Sequence, residues 1–106
     1  MSLLDNFLTY VKIDTQSSEE VATNPTTAKQ FNLGNLLVEE LHKMGIVDAF
    51  IDEHCYVYAY IPSNTACHKT IGLIAHMDTA LEMPGKNVNP QVIKKYNGND
   101  IILNNE

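Results

Sequence analysis

No apolar run in the sequence approaches the length of a bilayer-spanning helix. The N-terminus lacks the charged-then-apolar pattern of a secretory leader, so the expected location is the cytoplasm. Positive charge is scarce and scattered: seven Lys and Arg against thirteen Asp and Glu leave a formal net charge of -6. With no basic block, neither nucleic acid nor an anionic membrane is the expected partner. Only two cysteines occur, Cys55 and Cys67. They fit a reducing compartment, where small thiols are ordinary core residues. A glycine-rich phosphate loop, a Gly-x-Ser-x-Gly elbow and a His-Glu-x-x-His helix are all missing, which removes the motif-level case for three common chemistries. What remains is 106 residues with 44% apolar content, enough for one small domain with a packed core, residues 1–106.

Two helices are expected. Ser2 and Asp5 form an N-terminal cap signal, after which Leu4, Phe7, Leu8 and Val11 recur at helical spacing as far as Ile13. The small polar run Asp14-Thr15-Gln16-Ser17-Ser18 then breaks the helix, because these side chains bond their own backbone. A second start follows Asn24-Pro25-Thr26, with Thr27 and Gln30 spaced as a capping box. Leu33, Leu36, Leu37, Leu41 and Met44 make one apolar stripe, and Gly45 supplies the left-handed stop.

Strands are expected at Asp48 to Ile51 and at Cys55 to Ile61, separated by the turn Asp52-Glu53-His54. In the second, Cys55, Val57, Ala59 and Ile61 alternate with Tyr56, Tyr58 and Tyr60. The tyrosine face reads as the half-covered side of a sheet, or as a stacking platform for a ligand. Further on, Pro84 to Pro90 is loop chemistry, Asn97-Gly98-Asn99-Asp100 a turn, and Ile101 to Leu103 the opening of another strand. The fold class is α/β.

The chain is organised around Thr70-Ile71-Gly72-Leu73-Ile74-Ala75-His76-Met77-Asp78-Thr79. Ile71 to Ala75 has the uncharged, aliphatic character of a strand buried on both faces, and it ends in polar chemistry where α/β sheets collect ligands. Side chains two apart on an extended chain point the same way. His76 and Asp78 are therefore candidates for one pocket, the imidazole offering a nitrogen to a metal and the carboxylate orienting it. The plainer alternative is a hydrogen-bonded histidine at a strand end.

His54-Cys55 with Cys67-His68 is a rival metal set, but adjacent residues on a strand face opposite ways and neither pair has the spacing of a zinc knuckle. His42, near a helix C-terminus, reads as a surface residue whose partial charge suits the dipole.

Three groups of residues together resemble a known family. They are Phe7-Leu8-x-Tyr10-Val11-x-x-Asp14-Thr15-Gln16-Ser17, then His76-Met77-Asp78-Thr79, then Gly85 to Gln91 with Tyr96, Gly98 and Asp100-Ile101. In that order they are similar to the opening of the peptidase T family, cytoplasmic tripeptide aminopeptidases of the di-zinc exopeptidase superfamily. The resemblance implies that His76 is a ligand to one of two Zn2+ ions and that Asp78 is the active-site carboxylate that orients it. It also implies a short peptide substrate. The remaining metal ligands and the general base have no counterpart in this sequence.

On that resemblance the chain is the N-terminal part of a zinc-exopeptidase catalytic domain, two helices packed on a partial mixed β-sheet, without the inserted smaller domain. Alone it is expected to bind zinc weakly, to lack peptidase activity, and to self-associate through uncovered strand edges. Two other readings stand beside this one: a non-catalytic remnant or interaction module, and another amide hydrolase of the same superfamily.

Overall fold

The structure is a computed structural model and describes residues 2–103. Asn104 to Glu106, which follow the last expected strand, lie outside the described residues. The element order is α1 (Leu3–Tyr10), α2 (Gln30–Lys43), β1 (Phe50–Ile51) and β2 (Val57–Tyr58).

Helix α1 starts as its sequence predicts. The Ser2 hydroxyl accepts from the Asp5 backbone N–H at 3.2 Å, and the Asp5 carboxylate accepts from the Ser2 N–H at 2.9 Å. Two otherwise unpaired donors are thereby satisfied.

Helix α2 departs from expectation at its start. Its N-cap residue is Lys29, and no side chain caps it. The Thr27 hydroxyl, expected to serve the helix backbone, instead donates to the Gln16 carbonyl at 2.8 Å. Gln30 turns its side-chain amide onto the Thr27 hydroxyl at 3.1 Å. Backbone bonds three residues apart, such as Gln30 N–H to Thr27 at 3.3 Å, tighten this entry into the helix.

The C-terminus follows the sequence. Gly45 takes φ +93°, its N–H donates to His42 O at 2.9 Å, and Ile46 N–H reaches Leu41 O at 3.0 Å. That pair of bonds satisfies carbonyls the last turn leaves free. His42 is no idle surface group: its ring Nε2 donates to the Ala49 carbonyl at 2.8 Å and fastens the descent into β1.

β1 and β2 form an antiparallel pair with Phe50 opposite Tyr58 and Ile51 opposite Val57. Asp52 makes the turn, its carboxylate accepting from the N–H groups of His54 and Tyr56, each at 2.9 Å. Cys55 closes it at φ +66°, a left-handed position that glycine ordinarily takes. The pair is shorter than the two strands read from the sequence, and the tyrosine alternation extends beyond it. Phe50 stacks on Tyr58 at 5.0 Å, and Tyr56 meets Tyr58 edge-on at 6.5 Å. The tyrosine face is thus a half-exposed aromatic row on the outer side of the hairpin.

Helix α2 lies on the other side of the hairpin, closest at Gly34, where any added Cβ would run into the Ile51 side chain. Among the described residues the buried apolar ones are only Leu33, Ala49 and Cys55. The core is therefore thin, and the molecule is drawn out. Its radius of gyration is 17.4 Å, against about 13 Å for a compact chain of this length.

The expected mixed sheet is not formed. Among the described residues, Ile71 to Ala75 has no strand beside it and Ile101 to Leu103 likewise pairs with nothing. The composition of a buried strand is present without a neighbour to bond. Ile71, Leu73 and Ile74 accordingly lie almost wholly in the open. Among the described residues the one parallel contact is a single bridge between Gln16 and Thr79. No helix among the described residues is long and apolar enough to cross a membrane.

Candidate functional site

His76 and Asp78 come together as the two-residue spacing requires. The imidazole Nδ1 lies 3.1 Å from Asp78 Oδ1. Since a carboxylate only accepts, Nδ1 is the donor, and in the neutral ring the lone pair is then on Nε2, directed away from Asp78. Both side chains are accessible, 85% for His76 and 45% for Asp78. This is the tautomer and the outer partner that a metal-binding imidazole needs.

The backbone carrying the pair is held at its far end. Thr79 N–H donates to Thr15 O at 3.1 Å, and Ser17 N–H donates to Thr79 O at 3.0 Å. The Ser17 hydroxyl adds a second bond to Thr79 O at 3.0 Å. Thr15, at the centre of this tie, is 2% exposed. The polar run after α1 is thus more than a loop that ends a helix. It is a strap across the residue that follows Asp78.

Asp14 anchors the strap to α2's approach through Lys29 Nζ at 2.9 Å. That ammonium, and then the Gln16 N–H, hold the Asp14 carboxyl below the usual carboxylate range. Gly85 comes in against the same place. A Cβ there would stand 2.7 Å from Asp14 Oδ1 and 3.2 Å from Thr79 Oγ1, so only glycine fits without displacing one of them. Asp14–Ser17 thus meets Thr79 and Gly85, both distant from it in sequence, at one spot.

Two open grooves border the extended segment. One, of about 860 Å³, lies between α2, the hairpin and residues 73–78, with Leu37, Glu40, Leu41 and Val57 on its walls. The other, of about 620 Å³, lies between α1, α2 and residues 75–88, with Phe7, Leu33, Met83 and Val88 among its lining. His76 borders both. Above the first groove Glu40 is 5% exposed, with one carboxylate oxygen bonded to the Tyr10 hydroxyl and the other, Oε1, without a partner.

The rival cysteine and histidine set does not assemble. Cys55 is buried in the hairpin turn and Cys67 is exposed, both as free thiols. Among the described residues, no three His, Cys, Asp or Glu side chains stand close enough to share a metal ion. His76 with Asp78 would supply one ligand and its orienting partner, short of the three or four donors that hold zinc firmly. The residues fit a contributed part of a metal site.

No protein-family model matches the chain. Curated proteins do. The chain is 54% identical over 105 residues, 98% of its length, to 26% of the length of Peptidase T of Bacillus subtilis (strain 168). Identity is 51% over 108 residues, 99% of the chain and 26% of the relative, with Peptidase T of Alkaliphilus oremlandii (strain OhILAs). With Peptidase T of Clostridium acetobutylicum it is 50% over 105 residues, 98% of the chain and 26% of the relative. The chain spans about a quarter of the length of the curated relatives it matches. The resemblance carried by the sequence motifs thus extends over nearly the whole chain.

Proposed function

We infer that this chain, alike over 98% of its length to proteins named Peptidase T, is the part of such a peptidase that brings His76 and Asp78 to its active site. The reading is of a zinc-dependent aminopeptidase that removes the N-terminal residue of tripeptides in the cytoplasm, with this stretch opening its catalytic domain. The observation that carries it is the His76 to Asp78 contact at 3.1 Å, which leaves the imidazole Nε2 free to serve as a ligand.

His76 is the residue that would hold a Zn2+ ion, and Asp78 would keep its ring in the required tautomer. Bound zinc supplies Lewis-acid polarisation of the scissile carbonyl and an acidified water. This chain's share of the chemistry is positional. The strap at Thr15 and Ser17 fixes Thr79, Thr79 places Asp78, and Asp78 turns the imidazole. Further ligands and the general base come from residues beyond this stretch, so the 106 residues alone are expected to bind zinc weakly and to hydrolyse nothing.

The test joins this chain to the remaining three quarters of B. subtilis Peptidase T and assays tripeptide hydrolysis. The hybrid is expected to be active, to lose activity with His76→Ala, and to lose roughly 10- to 100-fold with Asp78→Asn. Calorimetry with Zn2+ on the same proteins should show the same order. An active hybrid indifferent to His76→Ala would sink the assignment.

A further inference from the structure

The strap contains one side chain whose bonds are not explained by local turn chemistry. Gln16 reaches across the sequence with its carboxamide Nε2 2.9 Å from the Leu81 carbonyl and 3.0 Å from the Met83 carbonyl. Two carbonyl acceptors admit only the NH2 end of the amide, and both of its hydrogens are used. The acceptors are two residues apart, so one side chain spans the bend Leu81 to Met83. The same residue's backbone carbonyl accepts from Thr27 at 2.8 Å, and its N–H donates to Asp14 Oδ1 at 3.1 Å. Gln16 therefore bonds at both its backbone and its side chain, and every one of these partners is fixed elsewhere in the fold or borders the His76 segment.

We propose that Gln16 is a positioning residue for the His76–Asp78 pair: its carboxamide clamps Leu81 and Met83 and so sets the course of the chain leaving Asp78. This rests on the peptidase reading for its consequence in catalysis, but the clamp itself is a property of the 106 residues. Gln16 touches neither His76 nor Asp78. It acts through Thr79, whose backbone bonds to Thr15 and Ser17 on either side of it, and through the loop that brings Gly85 against Asp14. Without the clamp, only the bonds to Thr15 and Ser17 hold Thr79, and the residues beyond it lose their anchor.

Donor chemistry separates this role from space filling. Gln16→Glu keeps the shape but sets a carboxylate against two carbonyl oxygens, whereas Gln16→Ala simply removes the bonds. A positioning donor predicts Glu to be worse than Ala; a filler of volume predicts the reverse. On the 106-residue chain, amide hydrogen exchange is read at the Thr79 and Ser17 N–H groups, with the amides inside α1 and α2 as the control for global unfolding. Protection at Thr79 and Ser17 is expected to fall in Gln16→Ala and further in Gln16→Glu, with the helices unmoved. Below about pH 4 the Glu variant should recover toward the parent as its carboxyl regains a proton to donate, and Gln16→Ala should not.

In the hybrid with B. subtilis Peptidase T, kcat is expected to fall by between about 10-fold and 100-fold with KM changed far less, since a displaced reactive group costs rate more than binding. Equal or better protection in Gln16→Glu than in Gln16→Ala would overturn the clamp. Lost protection with kcat intact would overturn the positioning role. An inactive parent hybrid would count against the peptidase reading alone, and the exchange experiment would still decide for or against the clamp.

Discussion

Replacing Tyr10 with Phe removes one hydroxyl and leaves a buried carboxylate with no partner. Glu40 is 5% exposed, its Oε1 already lacks a partner, and its other oxygen is bonded only to the Tyr10 hydroxyl. A hydrogen bond to a charged group contributes about 1.5–3 kcal/mol. The same contact marks Tyr10: burial first, then the Glu40 bond and charge, push its phenol from 10.0 up to about 12. Tyr10→Phe should therefore destabilise by about 2 kcal/mol, a large share of the stability of a chain with so few buried residues. Urea unfolding followed by far-UV circular dichroism measures it.

Tyr10→Phe with Glu40→Leu should recover to within about 1 kcal/mol of the parent, because removing both polar partners abolishes the desolvated charge. The pH dependence has a fixed sign. A phenol with a raised pKa in the folded state stabilises fully below pH 10 and loses that contribution as pH climbs through about 12. Tyr58 is also raised, first by burial, but it is common to both proteins. The difference between parent and Tyr10→Phe should thus be constant from neutral pH to about pH 10 and shrink above it. A destabilisation under about 0.5 kcal/mol, or a difference that grows in alkali, would refute the account.

Other outcomes follow from the same geometry. Gly34→Ala should cost about 1–2 kcal/mol, overpacking against Ile51 outweighing the gain in helix propensity. In an Ile51→Val background, which deletes the colliding methyl, the same change should become neutral or stabilising in a double-mutant cycle. Titration with a disulfide reagent should show one fast thiol and one slow: Cys67 is exposed, while burial and then Asp52 push the Cys55 thiol up. We expect the isolated chain to self-associate through its bare extended segment, and sedimentation should show Leu73→Lys or Ile74→Lys to be monomeric where the parent is not; a monomeric parent would end that expectation.

Elements governed by neighbouring residues were legible in the sequence. The Ser2–Asp5 cap, the Gly45 stop and the Asp52 turn each depend on atoms within a few positions, and each is present. The His76 to Asp78 contact was legible for the same reason: an extended backbone puts alternate side chains on one side. The Thr27 cap fails because its hydroxyl finds the Gln16 carbonyl, eleven positions away, a competitor that local spacing cannot reveal. Ile71 to Ala75 has the composition of a strand, but composition does not supply the neighbour that a strand needs. The role of Gln16 had no signal beyond a run of small polar residues, since Leu81 and Met83 are distant in sequence. Only the resemblance, which joined Asp14–Ser17 and His76–Thr79, pointed to that meeting.

The strap has a consequence for how the molecule assembles. Helix α2 and the hairpin meet through contacts between near neighbours in the chain, and such contacts form early. The bond from Gln16 to Leu81 joins residues 65 positions apart. Closing a loop of that length costs roughly 4 kcal/mol in chain entropy, repaid by only a handful of hydrogen bonds. The segment bearing His76 is therefore expected to be the last captured during folding and the first released by heat or denaturant, so the His76–Asp78 pair loses its backbone support before the helices melt.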